Sequence, residues 1–237
     1  MISFAEGEVT KLRREFKLVL KAPEAEELCA RLSWELGGLL PAPTRITSVY
    51  FDRPGHPLTL RALRTPHDCL KLRTKEYSPD VGAGGVQRVV LEVKRERHGV
   101  TQKRRAWVPR AQLRSVMRGS VGLLPLIAGG SLHPTLAVTY ERTVYQCSEA
   151  WRVTVDRDIA YHRVTPELAF GASPLTLEQL EEPVLREPSV VLEVKHLGPA
   201  LPEWIAALNR PGSSGYSKFA VGMAQLQACV LDGSVGG

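Results

Sequence analysis

Apolar and polar residues alternate through most of this chain. From residue 11 to 21 the run KLRREFKLVLK puts Leu12, Phe16, Leu18 and Leu20 on one side and Lys11, Arg13, Glu15 and Lys17 on the other, with Arg14 out of phase. A period of two over that length predicts a half-buried strand. The period changes in PEAEELCARLSWELGG (23–38), where Pro23 and three acids come first, Leu28, Leu32 and Leu36 follow at spacings of four, and two glycines end the run. These are start, stripe and stop signals for a helix. Strand-like runs then follow at 46–52, 58–63, 69–77, 86–96 and 102–108, parted by loops bearing Pro or Gly such as SPDVGAGG. A helical patch at 109–117 and an irregular Gly/Pro segment lead to strands at 136–146, 151–157 and 189–196, and then to helices at 202–208 and 216–232. Residues 160–188 fit a strand, a helix over LTLEQLEE or a loop equally well, and residues 1–8 and 233–237 read as flexible ends.

Short connections between consecutive strands favour antiparallel pairing. When each strand is phased by its apolar residues, the other face repeats one chemistry: Arg13, Glu15, Lys17; Lys71, Arg73, Lys75; Arg88, Glu92, Lys94; Lys103, Arg105; Arg142; Arg152, Asp156; Glu193, Lys195. The hexapeptide VVLEVK even occurs twice, at 89–94 and 190–195, each time with Glu and Lys sharing a face. For one strand a solvated outer face is the simpler account. Agreement across seven strands points instead to an α+β fold in which an antiparallel β-barrel curls its cationic face inward around a tunnel and helices pack outside. The two VVLEVK copies extend into no longer repeat, and a length of 237 residues is that of a single domain spanning 1–237.

The net charge of +6 indicates an anionic partner. Cys29, Cys69, Cys147 and Cys229 are far apart and lie in or near apolar stretches, as buried free thiols do. No N-terminal signal is visible, and the longest uncharged apolar run, 121–132, is broken by Pro125 and two glycines. A cytoplasmic protein without a membrane span is the expectation. GAGG (82–85) lacks dinucleotide-site spacing, the six histidines have no paired spacing, and Trp34 and Trp204 are expected to pack outside the barrel. Nucleic acid ranks low as a partner, because the basic residues alternate within strands and aromatic residues make up only 6% of the chain.

Cations converging on a lumen repel unless a strongly anionic ligand neutralises them, and a chain of phosphates suits that role. Arg grips phosphate oxygens with a planar fork and Lys acts as a mobile point charge. On this reading Lys75, Arg105 and Lys195 join the phosphate-binding set. Each interspersed carboxylate fits either a salt bridge to a neighbouring lysine or a divalent cation: Glu193 first, with Glu15 and Glu92 as weaker candidates, would hold Mn²⁺ or Mg²⁺ through oxygen.

The same residues, taken in order, resemble the VTC domain of the triphosphate tunnel metalloenzymes, the catalytic domain of polyphosphate polymerases. The matching stretches are R-x-E-x-K (13–17), SVYFD (48–52), LKLRTKEY (70–77), LEVKRE (91–96), QKRR (102–105), YER (140–142), RVTVD (152–156), LEVK (192–195) and YSKF (216–219). The resemblance implies a tunnel-shaped barrel that extends polyphosphate from the γ-phosphate of ATP with a divalent metal, usually Mn²⁺. Carried over by position, it makes Lys17, Lys71, Arg73, Lys94, Lys103, Tyr140, Arg142, Arg152 and Lys218 phosphate contacts, with Arg73, Arg142, Arg152 and Lys94 at the reacting group. Ser217 becomes a further hydrogen-bonder and Glu193 the metal ligand. Two positions depart from the family: Arg13 stands where the cyclase and thiamine triphosphatase branch has a Glu, and Gly215 replaces a frequent basic residue. A metal-dependent triphosphatase and a non-catalytic polyphosphate- or nucleotide-binding module are the alternatives. Export of any polymer would require a separate membrane translocator.

Overall fold

The computed structural model describes residues 14–78, 87–97, 100–118, 131–197, 201–209 and 215–233. Arg13, the GAGG loop and the chain ends at 1–8 and 234–237, each singled out above, lie outside the described residues.

The strands are β1 (Arg14–Leu20), β2 (Thr44–Asp52), β3 (Cys69–Ser78), β4 (Arg88–Arg97), β5 (Val100–Pro109), β6 (His133–Gln146), β7 (Trp151–His162), β8 (Leu185–Arg186) and β9 (Val190–His196). They form one antiparallel sheet in the order β1-β9-β7-β6-β2-β3-β4-β5, with β8 on β7, and the sheet curls into a half-barrel. The two end strands, β1 and β5, do not pair with each other among the described residues, so both keep an edge where a closed barrel would have none. The helices are α1 (Ala22–Glu35), α2 (Pro57–Arg64), α3 (Leu113–Met117), α4 (Pro166–Ala169), α5 (Glu203–Ala206) and α6 (Lys218–Gly233). Among the described residues no helix is long and apolar enough to cross a membrane.

One expected strand is a helix. LTLRAL alternates, but its buried residues are Thr59 and Ala62, one helical turn apart. The cause is Asp52 at the end of SVYFD: its buried carboxylate accepts from the backbone N–H groups of Leu58 (3.1 Å) and Thr59 (2.8 Å) and from the Thr59 hydroxyl (2.7 Å). Those bonds satisfy the free donors of a first turn, and Pro57 supplies the helical φ. In the span left undecided, β7 runs on to His162, α4 and a short turn at 177–179 follow, and β8 returns to pair with β7.

The two faces of the sheet pack differently. On the convex face, Phe51, Leu72, Leu91, Val93 and Val108 meet Leu113, Val116 and Met117 of α3, while Phe16, Leu18, Val153, Val155 and Leu192 meet Ala25 and Leu32 of α1 and Ile205 of α5. The apolar face of the alternation is consumed here, and these helices lie outside the curl. The concave face is divided in two. Leu136, Val138, Ile159 and Tyr161 form an apolar floor over which Phe219, Met223 and Leu226 of α6 are laid, joined by Ala62 of α2. Asp158, at φ 49°, allows this division. It marks a bulge opposite β6 that shifts the phase of β7, so that Arg152, Thr154 and Asp156 face the cavity before it and Ile159 and Tyr161 face α6 after it.

The seating of α6 depends on Gly222. A methyl group there would lie 2.6 Å from side-chain atoms of both Leu136 and Tyr161, neither of which is solvent-exposed. Gly222→Ala should therefore lower the unfolding free energy by about 1–3 kcal/mol through overpacking. Urea denaturation checks this, and an unchanged midpoint would contradict so close an approach.

Candidate functional site

The cationic part of the concave face encloses a cavity of about 1250 Å³. Lys17, Lys71, Arg73, Lys75, Lys94, Lys103, Arg105, Tyr140, Arg142, Arg152, Lys195, Ser217, Lys218, Glu15 and Glu193 all line it. Of the phosphate and metal candidates assigned from the sequence, only Glu92 is not on the wall, because it lies beneath its own partners; Arg88 and Asp156, also on the polar face, do not line it.

Register explains why. Across β3, β4 and β5 the concave side chains stand in rows: Lys71 with Lys94 and Lys103, then Arg73 with Glu92 and Arg105, then Lys75 with Val90 and Trp107. Glu92 is thus flanked by cations on both neighbouring strands and is fully buried. Arg73 donates Nε to Oε1 at 2.8 Å and adds Nη2, Arg105 Nε reaches Oε2 at 2.9 Å, and Lys103 and Lys75 stand at 3.0 and 3.8 Å. Burial opposes the charge of Glu92, but Arg73, Lys75, Lys103 and Arg105 together hold its carboxyl far below the usual carboxylate range. The same crowding acts in reverse on the lysines. Burial, reinforced by neighbouring arginines, pushes Lys75 well down and Lys103 to about 8.

A second buried acid organises the opposite wall. Asp156 accepts a bidentate pair from Arg142 at 2.6 and 2.7 Å and a further bond from Lys218. Burial works against its charge, and Lys218 and Arg142 outweigh that and lower its pKa. Burial likewise works against the Arg142 cation, yet the hydrogen bond and charge of Asp156 hold it above its ordinary value. Lys218 is the first residue of α6, so this bond fixes the helix start to β7. Next to it, Ser217 Oγ accepts from Lys71 (3.3 Å) and Lys17 donates to the Tyr216 carbonyl (3.0 Å). Asp156 stood on the polar face in the sequence without an assigned role, and Tyr50 and Tyr216 were not singled out. Tyr50 accepts from Arg73 (3.0 Å), and the Tyr216 hydroxyl bonds Tyr161 (2.8 Å) and Glu187 (3.3 Å).

The remaining carboxylates cluster where β1 meets β9. Glu15 lies opposite Lys195 and Glu193 opposite Lys17, and Lys195 touches both acids, at 3.2 Å from Glu15. Burial disfavours the Glu193 anion, while Lys195 and Lys17 more than compensate and keep the carboxyl well below its usual range. Among the described residues no group of three or more His, Cys, Asp or Glu side chains could hold a metal. Two adjacent carboxylates facing an anion-binding cavity do suit a hard divalent ion that takes its other oxygens from phosphate and water. Glu92, already engaged by four cations, is the least available of the three candidates. Glu15 also reaches across to Lys94 of β4 at 3.8 Å, bridging the two sides of the half-barrel.

The chain matches the family model of the VTC domain over residues 12–227. It belongs to the VTC domain family. Among solved structures, this VTC domain is similar to a putative adenylyl cyclase from Hippeastrum described as having a dominant triphosphatase activity. The TM-score is 0.52 at 18% identity, over 89% of this chain and 94% of that one. A putative adenylate cyclase from Bacillus halodurans gives 0.47 at 11% identity, over 82% and 83%. A capping-enzyme triphosphatase from Mimivirus gives 0.36 at 9%, over 82% and 85%. The first likeness is one of fold alone. No curated protein matches the chain.

Two outcomes follow for the VTC domain's cavity. Glu92→Gln leaves four cations without their shared counter-charge and should cost about 3–5 kcal/mol of stability at pH 7, measured by urea unfolding. Because the folded-state pKa of Glu92 is depressed, its contribution is complete above the unfolded value near 4.5 and is lost as pH falls below it, so the variant should lose stability less steeply in acid. Separately, tripolyphosphate binding should weaken between about pH 8 and 9.5 as Lys103 gives up its proton, with Lys103→Arg removing that part of the loss. Identical pH slopes in isothermal titrations of the two proteins would count against it.

Proposed function

We propose that this chain is a metal-dependent phosphotransferase that lengthens linear polyphosphate with the γ-phosphate of ATP. The observation that carries the reading is the convergence, in a protein of the VTC family, of cations from seven strands and the start of α6 on one open cavity. A cavity so lined matches a polyanion of phosphates better than a single small anion, because the cations are spread along rows instead of meeting at one point.

Phosphoryl transfer asks chiefly for in-line positioning and for neutralisation of oxygen charge. Arg73 and Arg142 are suited to the transferring group. Each is fixed by a buried carboxylate, Glu92 or Asp156, so the fork is aimed before substrate arrives. Arg152 and Lys94 complete that wall, and Lys17, Lys71, Lys75, Lys103, Arg105, Lys195 and Lys218 hold the rest of the chain, with Tyr140 and Ser217 donating hydroxyl protons. Glu193, with Glu15, would hold Mn²⁺ or Mg²⁺, which when bound draws charge from the phosphate oxygens. In the transfer, a terminal oxygen of polyphosphate forms a bond to the γ-phosphorus, the bridging β–γ bond breaks, and ADP leaves with that electron pair. The attacking oxygen is already ionised near neutral pH, so the step requires no dedicated base.

Hydrolysis of a triphosphate is the competing reading, and it would require a group to orient water. Glu15 and Glu92, the carboxylates that could do so, are both paired with cations, as is Asp156, which supports transfer over hydrolysis. We place the protein in the cytoplasm, acting with a separate membrane translocator if polymer is exported. The test is incubation with ATP and Mn²⁺ or Mg²⁺, with polymer followed on gels and free phosphate by colour assay. Polymer growth with little phosphate release is expected, together with a loss of at least about 100-fold in rate for Glu193→Gln. Phosphate release without polymer would assign a triphosphatase, and binding without turnover under either metal a passive module.

A further inference from the structure

The third row across β3, β4 and β5 changes chemistry. Where the first two rows carry charge on every strand, this one runs Lys75, Val90, Trp107. Tyr77, two residues beyond Lys75, shares the concave face with it. Trp107 is 59% exposed and Tyr77 37%, although both stand on the face that points into the curl, and Val90 on the strand between them is buried. Two large aromatic rings therefore flank the buried Val90 beside Lys75 and Arg105, with Arg88 further along the same face. Burial raises the pKa of the Tyr77 hydroxyl and the charge of Arg105 opposes that rise, so the hydroxyl lies within the field of those cations.

Neither ring is accounted for by phosphate binding, since neither carries charge and neither lines the cavity proper. Both sit where a nucleoside triphosphate would project its non-phosphate end if its phosphates lay along Arg105 and Lys75. Two residues along a strand span about 7 Å. That is the order of gap a ribose bridges between phosphate and base. A flat apolar surface at that distance from a guanidinium suits a stacked heterocycle, because every base offers a π-face and an aromatic ring returns one at small entropic cost.

We propose that Trp107 and Tyr77 form the nucleobase site of the nucleotide substrate, so that the nucleotide is held at the mouth between β3 and β5 with its triphosphate directed inward past Arg105. The proposal rests on the phosphotransferase reading for the identity of the substrate, but its test is a binding experiment and needs no turnover. Trp107→Ala and Trp107→Phe are each titrated, beside the natural chain, with a non-hydrolysable ATP analogue and with inorganic tripolyphosphate. Trp107→Ala is expected to weaken the nucleotide by about 5- to 150-fold while leaving tripolyphosphate within twofold, with Trp107→Phe keeping most of the affinity. Retained tripolyphosphate binding also certifies that the variant is folded. Equal losses for both ligands, or no loss for the nucleotide, would overturn the proposal. A natural chain that binds both ligands but turns over neither would sink the phosphotransferase reading and leave this comparison intact.

Discussion

The cavity depends on one carboxylate. Glu92 is the point at which four cations from two flanking strands are tied together, and without it the middle of the concave wall would be a cluster of like charges in a poorly solvated space. A single anion shared among Arg73, Lys75, Lys103 and Arg105 leaves each of them only partly compensated. The wall therefore stays net positive while its geometry is fixed. Asp156 does the same on the far side for Arg142 and Lys218. Stability and affinity are set against each other by the same two acids: more carboxylates would steady the fold and repel phosphate, and fewer would do the reverse.

Much of this was legible in the sequence because a strand writes its two faces alternately. The phase of β1, β3, β4, β5, β7 and β9 follows from apolar residues alone, and the family signature supplies the order of the pieces. What could not be read was register. Whether Glu92 meets Arg73 and Arg105, or Lys71 and Lys103, depends on a slip of two residues, which leaves each strand's faces unchanged. Metal ligation therefore stood as a weaker candidate role for Glu92, and only its place between two arginines shows how fully its oxygens are engaged. The role of Asp156 was hidden for the same reason, since its partners lie on β6 and at the start of α6.

Other differences have local causes. Residues 58–63 alternate like a strand but sit just after Asp52, whose carboxylate satisfies the first donors of a helix; the deciding residue lies outside the window that was read. The C-terminal helix carries an apolar stripe that says it is buried without saying against what. It lies in the curl and not behind it, because the bulge at Asp158 gives β6 and β7 an apolar patch on their inner face. Trp34, expected to pack, is 78% exposed, and the aromatics that stand at the cavity mouth are Tyr77 and Trp107.

Among the described residues the two end strands do not meet, and one contact that spans the opening is Glu15 with Lys94. Amide-to-carbonyl ladders keep a fixed width and ignore ionic strength. A seam drawn together by two mobile side chains does neither: it slackens as salt rises, and it releases when an incoming polyanion competes for the ammonium. The width of the opening is thereby coupled to the charge around it.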